Sequence, residues 1–458
     1  MYMKRSAMKK LESWHSDPDR KPLLLLGARQ TGKTWLMQEF GKRFFKKIAY
    51  INFENNPQMK EVFDLDFDVS RLLLAIQISS GITIDASDTL ILFDEIQEAP
   101  RVLTSLKYFC ENSPEYCLIA AGSLLGISMH ENISFPVGKV DYLHLYPLSF
   151  TEFLEATGNP MLVELLQSRN WSMIASFRDK YIEQLRLYYY IGGMPEVVKS
   201  YATRRDFEKV RAIQERLLKD YDNDFSKHAE TESTFRIRQI WNSVPAQLAK
   251  ENKKFKYSEL AGGGRSRDFV NPMQWLADAG LITQVFRVNK AAVPLDSYKG
   301  NIFKIYLLDV GLLAAKAGLD VKVLLEGNQV FQEFKGALTE QYVLQQIQSE
   351  CGIPLYYWSA ERTIAEIDFL CQFKMQIVPV EVKAEINVQA KSLKWFCAKQ
   401  KTALAIRTSM MDYYKQKITV RDTGQPEIVA HTYTLIDIPL YAISQILAEC
   451  AEIPATEP

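Results

Sequence analysis

The sequence predicts an α/β fold: a parallel sheet at the front of the chain, a helix-rich middle, and a smaller α/β region at the end. Three observations carry this reading. Leu23 to Leu26 is a short, fully apolar run that passes directly into Gly27-Ala28-Arg29-Gln30-Thr31-Gly32-Lys33-Thr34. Thr89 to Phe93 is a second apolar run, capped by Asp94 and Glu95. Between and beyond them, strand-like runs alternate with helical stretches, the pattern of a parallel sheet with its ligand at the strand carboxyl ends.

The first element after the basic start (MYMKRSAMKK) is a helix that stops at Ser16-Asp17-Pro18. Leu23–Leu26 then reads as a buried strand and Trp35 to Phe44 as the helix that follows. The segment between them has the form G-x-x-x-x-G-K-T, a phosphate-binding loop. Gly27 and Gly32 let the backbone wrap phosphate oxygens so that its N–H groups point inward at a helix N-terminus. Lys33 supplies a point charge to the terminal phosphates, and the Thr34 hydroxyl is a ligand for Mg²⁺. The whole loop, Gly27 through Thr34, is the candidate nucleotide-binding segment.

Ile48 to Glu54 is apolar and β-branched enough for a second strand, and Val69 to Ser79 reads as a helix. The Thr89–Glu95 run delivers Asp94 to the carboxyl end of a buried strand, where it can hold the Mg²⁺ hydration shell. Glu95, one residue on, is placed to polarise an attacking water. Tyr116 to Ser123 is a further buried strand. In ATPases with an additional strand between the two signatures, the polar group at this strand end senses the terminal phosphate, which makes Ser123 the sensor candidate. Val140 to Leu148 alternates and breaks at Pro147, a last strand leaving the sheet.

These segments, GARQTGKT (Gly27–Thr34), LFDEIQEAP (Leu92–Pro100), GSLLG (Gly122–Gly126), LYPLSFTEFL (Leu145–Leu154) and GGMPEVV (Gly192–Val198), together resemble a group of prokaryotic AAA-type P-loop ATPases with a C-terminal domain of unknown function. The resemblance spans nearly the whole chain. It implies ATP and Mg²⁺ as cofactors and a helical lid over the nucleotide in residues 161–230. Members often carry an arginine just before the LYPLSF segment; this chain has Gly138-Lys139 there, and a lysine cannot make the bidentate fork of an arginine finger.

Phe235 to Asn289 reads as helix (Ile237 to Lys250), a short helix at Tyr257 to Ala261, a Gly262-Gly263-Gly264 turn, helix (Asp268 to Ala279, with Pro272 in its first turn) and strand (Thr283 to Val288). That order looks like a winged helix-turn-helix, with Arg265, Arg267 and Lys290 available to duplex DNA phosphates. A packing module between domains is the alternative.

A second chemical signature lies near the end. Strand periodicity places Glu381 and Lys383 on one face of Ile377–Ala384, and Asp368 at the matching place on the preceding strand, Thr363–Leu370. Two carboxylates and a lysine can hold Mg²⁺ against a phosphodiester. The pattern resembles the restriction-endonuclease-like fold, in which Glu340, on the helix Phe331 to Ile347, is the matching helical acid. Ile367 stands where that fold usually has a proline. A structural Glu381–Lys383 ion pair is the competing reading.

Length and composition bound the rest. The 458 residues suit about three domains, drawn here as an ATPase core over 1–160, the lid over 161–230, the winged helix over 231–300 and the nuclease-like region over 301–458. Lys+Arg and Asp+Glu are both 55, so net charge argues for no class of partner, local patches aside. No apolar run approaches the roughly 20 residues of a membrane span, and no secretory core follows the basic start. Six cysteines without C-x-x-C spacing read as free thiols of a cytoplasmic protein. The expected function is an ATPase whose nucleotide state controls a DNA-directed C-terminal half. An ATP-licensed, metal-dependent nuclease and a nucleotide-gated protein-interaction switch are the alternatives. Monomer, dimer and ring stay open.

Overall fold

A computed structural model describes residues 3–123, 136–228, 231–260, 265–322, 332–360, 365–384, 390–421 and 430–452. The chain divides into two compact units, Tyr2–Pro147 with Gln274–Leu281, and Leu148–Met273 with Ile282–Pro458.

The first unit is built on five strands: β1 (Leu23–Leu26), β2 (Lys47–Asn52), β3 (Thr89–Asp94), β4 (Cys117–Ala121) and β5 (Asp141–His144), in the spatial order β2-β3-β4-β1-β5. Every pairing is parallel. Such a sheet is covered on both faces, and its inner strands β1, β3 and β4 are accordingly buried at consecutive positions, while the edge strands β2 and β5 are only partly buried. Leu24, Ile91, Phe93, Leu118 and Ala120 pack to one side with Phe63, Leu72, Leu106 and Phe109. Leu23, Leu25, Leu90, Leu92, Ile119 and Ala121 pack to the other with Leu11, Leu36, Met37 and Phe40. Helices Ala7–Ser16, Lys33–Phe44, Val69–Ser80 and Pro100–Asn112 supply those covers; Pro57–Leu65 is a helix the sequence pattern did not announce. β5 stays in the sheet, paired with β1 from Leu23↔Asp141 to Leu26↔His144, before the chain departs at Pro147.

The second unit holds an eight-stranded sheet of β6 (Ile282–Val288), β7 (Lys299–Leu307), β8 (Leu355–Ser359), β9 (Glu366–Phe373), β10 (Gln376–Val382), β11 (Leu404–Ser409), β12 (Tyr414–Arg421) and β13 (Ala430–Pro439). Their order is β12-β13-β11-β10-β9-β8-β6-β7. The winged-helix expectation changes here. Helices Thr231–Leu248 and Val270–Asp278 are present, but Tyr257–Glu259 and Ser266–Phe269 are 3₁₀ turns, and residues 261–264 lie outside the described residues. The expected wing, the antiparallel β6–β7 pair, is joined through Arg287↔Tyr357 to β8 and so forms one end of the large sheet. The boundary drawn at residue 300 falls inside β7, because hydrogen bonding across the sheet ignores it. The helices of 161–230 belong to this same unit, with Arg178–Ile191 and Phe207–His228 packed against Val310–Lys316.

Two quoted motifs meet inside this unit. Leu148 N–H donates to Gly193 O at 2.7 Å, and the Tyr188 hydroxyl donates to Leu148 O. Asp309, fully buried, accepts Gly193 N–H at 2.6 Å and the Gln345 amide at 3.1 Å. A Cβ at Gly193 would lie 2.1 Å from Leu148 O, so this junction requires glycine.

Candidate nucleotide site

The loop after β1 is shaped by two glycines. Gly27 has φ 147°, and a Cβ there would sit 2.3 Å from Leu145 O, on the segment that follows β5. Gly32, at φ 95°, turns the chain into the helix Lys33–Phe44. The loop is braced from behind by Arg5, which is 5% exposed and donates to Thr31 O at 3.0 Å and to Tyr146 O at 2.5 Å. Thr31 Oγ1 donates to Ala28 O at 2.9 Å.

Lys33 folds back onto its own loop. Its Nζ donates to Gly27 O at 2.8 Å and Ala28 O at 2.9 Å. Burial pulls its ammonium down to about 8, against the opposing attraction of Glu95 and Asp94. The β4 strand lies between β1 and β3, yet the helix after the loop brings Thr34 Oγ1 to 2.7 Å from Asp94 Oδ2. The Tyr50 hydroxyl, from β2, donates to the same oxygen at 2.9 Å, and the Glu95 N–H donates to Asp94 Oδ1 at 3.1 Å. Burial raises the Asp94 carboxyl despite these bonds, and burial with the Asp94 charge pushes the Tyr50 phenol up to about 12. Glu95 leaves the strand in a left-handed conformation, φ 53°. Its Oε2 accepts from Gln97 Nε2 at 2.6 Å and from Ser123 Oγ at 3.4 Å.

The structure therefore brings Lys33, Thr34, Asp94, Glu95 and Ser123 together at the carboxyl ends of β1, β3 and β4, with Gly27 to Gly32 as their rim. The GSLLG segment beyond Ser123 lies outside the described residues. Lys139 is committed elsewhere, to Glu111 at 2.9 Å. Arg5, Tyr50 and Gln97 escaped the sequence reading. Arg5 and Tyr50 come from distant segments, so spacing does not mark them, whereas Gln97 follows Glu95 by two residues inside a segment the sequence had already singled out.

The second expected site is present as a cluster of different character. Pairing of β9 with β10 sets Phe369 against Val380, and Val382 N–H donates to Asp368 Oδ2 at 2.8 Å. Glu340, on the helix Gln332–Gln346, accepts from the Tyr306 hydroxyl at 2.9 Å and pairs with Lys253. Lys304, 1% exposed, lies 3.7 Å from Glu340 and 2.6 Å from Glu366. Lys383 pairs with Glu381 at 2.7 Å. Burial pushes the Glu340 carboxyl up, but Lys253 and Lys304 outweigh it and hold it down at about 2. Burial, then Glu381 and Glu340, raise Asp368 well above the carboxylate range. Glu340, Asp368, Glu381 and Lys383 thus lie in one charged cluster of the second unit. Lys253 and Lys304, from outside the expected motif, pair with Glu340 and Glu366, as Lys383 does with Glu381. Among the described residues, no group of three or more His, Cys, Asp or Glu is placed to hold a metal ion.

Comparison with known proteins bears on the first unit. Residues 19–154 match the family described as an AAA domain. This region is similar to an AAA-type P-loop domain, in keeping with its parallel five-stranded sheet. Residues 182–322 and 335–428 match two domains of unknown function, DUF8612 and DUF4143. No curated protein matches the chain. Among solved structures the chain is similar to the structure of C. elegans PCH-2 at 13% identity, over 46% of this chain and 66% of that one, with a TM-score of 0.27. Among the described residues no helix is long and apolar enough to cross a membrane.

Proposed function

We propose that the protein binds and hydrolyses ATP at the Gly27–Thr34 loop, and that its nucleotide state controls a nucleic-acid-directed C-terminal half. The single observation that carries the ATPase reading is the convergence of Thr34 and Asp94 at 2.7 Å, from elements 60 residues apart in sequence. These two hard oxygen donors fit Mg²⁺, and the glycine rim, which a Cβ would fill, fits a polyphosphate. When bound, Mg²⁺ would neutralise charge on the phosphoryl group being transferred.

The chain's own residues supply the remaining work. Lys33 exchanges its two loop carbonyls for phosphate oxygens and stabilises the charge that develops on them. The loop N–H groups hold the phosphates in place. Tyr50 fixes the rotamer of Asp94. Glu95, carried at the strand end, orients a water and takes its proton, with Gln97 and Ser123 controlling where the carboxylate points.

Two variants test this. Lys33→Ala is expected to abolish phosphate release from ATP in the purified protein, and undiminished turnover would refute the reading. Glu95→Gln is expected to keep nucleotide affinity while slowing turnover at least a hundredfold, as read by titration calorimetry beside a phosphate assay.

A further inference from the structure

The helix Lys391–Gln400 packs between the sheet and solvent. Leu393, Phe396 and Cys397 are buried in a core cluster with Trp358, Ile367, Leu370, Ala405, Tyr433 and Leu435. Its outer face is unusual for a chain with equal numbers of acidic and basic residues. Lys391, Lys394, Lys399 and, just past the helix, Lys401 are all exposed, and residues 391–401 contain no acid. No ion pair to any of these four is found among the described residues. In their midst Trp395 is 40% exposed. It is supported by Trp358, ring centroids 5.5 Å apart and 29° from parallel, and Lys399 Nζ lies 4.8 Å from its centroid.

The charge extends beyond the helix. Phe286 and Tyr298 pack against the same core cluster. Exposed Lys299 lies over Phe286 with its Nζ 3.9 Å from the ring centroid, and exposed Lys290 lies over Tyr298 at 5.5 Å. Asp296, which accepts from the Tyr356 hydroxyl at 2.9 Å, is an acid on this side. Lys415 and Lys417 do not join in. They alternate with Ile418 and Val420, the strand residues that pack on the cluster, and so face the other way.

We infer that this face binds single-stranded nucleic acid. Exposed ammoniums spaced along residues 391–401, without an ion pair among the described residues, suit a run of phosphates, and their charge is complementary to a polyanion. A half-exposed tryptophan braced from behind by a second aromatic ring is a stacking platform, and only unpaired bases offer their faces to it. An acidic protein segment would use the lysines but need not bring a ring to Trp395, whereas a single strand carries a base with every phosphate, which favours the nucleic acid. The partner is thus a single strand lying along Lys391–Lys401, with Lys399 swinging off Trp395 as a base takes its place. Of the residues the helix-turn-helix pattern points to, Lys290 borders this face, while Arg265 and Arg267 lie on a different element. The inference rests on the nucleic-acid-directed reading of the C-terminal half, and it needs no ATP hydrolysis.

The test is fluorescence anisotropy of labelled 20-nucleotide dT and rU oligomers with the full chain, without nucleotide, from 50 to 300 mM salt. A matched duplex and polyglutamate serve as further arms. Tight binding is expected, with a log–log salt slope of about −3, the value for four phosphates contacted on a single strand. Lys394→Glu with Lys399→Glu should weaken it by at least tenfold and flatten the slope. Trp395→Ala should weaken it about tenfold at unchanged slope, and Trp395→Phe by threefold or less. Wild-type affinity in the double lysine variant overturns the surface. Polyglutamate competing as well as the oligomers overturns the choice of partner. Duplex binding that ignores all of these variants overturns the surface while leaving the nucleic-acid-directed reading intact, whereas no binding to any nucleic acid removes both.

Discussion

Lys33 shows how a residue can be recognisable in sequence and still behave unexpectedly in structure. Its motif announces a phosphate ligand, yet the side chain is 7% exposed and holds two carbonyls of its own loop. With its folded-state value near 8 and the unfolded value near 10.5, the unfolded chain holds the proton more tightly between those limits. This group therefore makes folding more favourable as pH rises from 8 to 10.5. Polyphosphate reverses the imbalance by restoring the charge. Nucleotide binding is thus expected to take up a proton above pH 8 and to weaken as pH rises. Calorimetry at pH 8.5 in two buffers of different ionisation enthalpy checks this; identical heats would contradict it. Tyr50 makes a milder prediction. Tyr50→Phe removes one of the hydrogen bonds to Asp94, about 1 kcal/mol. The Mg²⁺ concentration for half-maximal nucleotide binding should rise about fivefold, with Mg²⁺-free affinity unchanged.

At the scale of elements, the junction around Gly193 explains two motifs that the sequence could only label. Leu145–Leu154 and Gly192–Val198 carry no catalytic side chain. Their glycines and the Leu148 backbone meet because Asp309 and Gln345 are held beneath them. Gly193→Ala would force a methyl group against Leu148 O. A loss of about 2–3 kcal/mol is expected, of the size set by overpacking. It should be visible as a lowered thermal midpoint, with Lys33 chemistry untouched in the fraction that stays folded. The first sheet tells the opposite story. Its inner strands β1, β3 and β4 were legible because a doubly covered parallel strand is apolar at consecutive positions.

The whole molecule is two compact units, and the nucleotide site lies in one of them. A ligand stabilises only what binds it, by about 2.7 kcal/mol at a hundredfold excess over Kd. Scanning calorimetry with a non-hydrolysable ATP analogue and Mg²⁺ is expected to raise the transition that contains Tyr2–Pro147. In Lys33→Ala that rise should vanish.

The sequence by itself determined the phosphate loop, the β3 strand that ends in Asp94, and the α/β class, because each rests on local spacing and on apolar runs. It also put Glu381 and Lys383 on one face of their strand, which strand periodicity dictates. Tertiary structure alone decided what surrounds those residues. Lys253 and Lys304 enter the acid cluster from distant segments and pair with Glu340 and Glu366. The β6–β7 pair reads as a wing until its hydrogen bonds to β8 make it part of a larger sheet. Periodicity records which face of an element is buried; which element comes to cover that face is fixed only when the chain closes on itself.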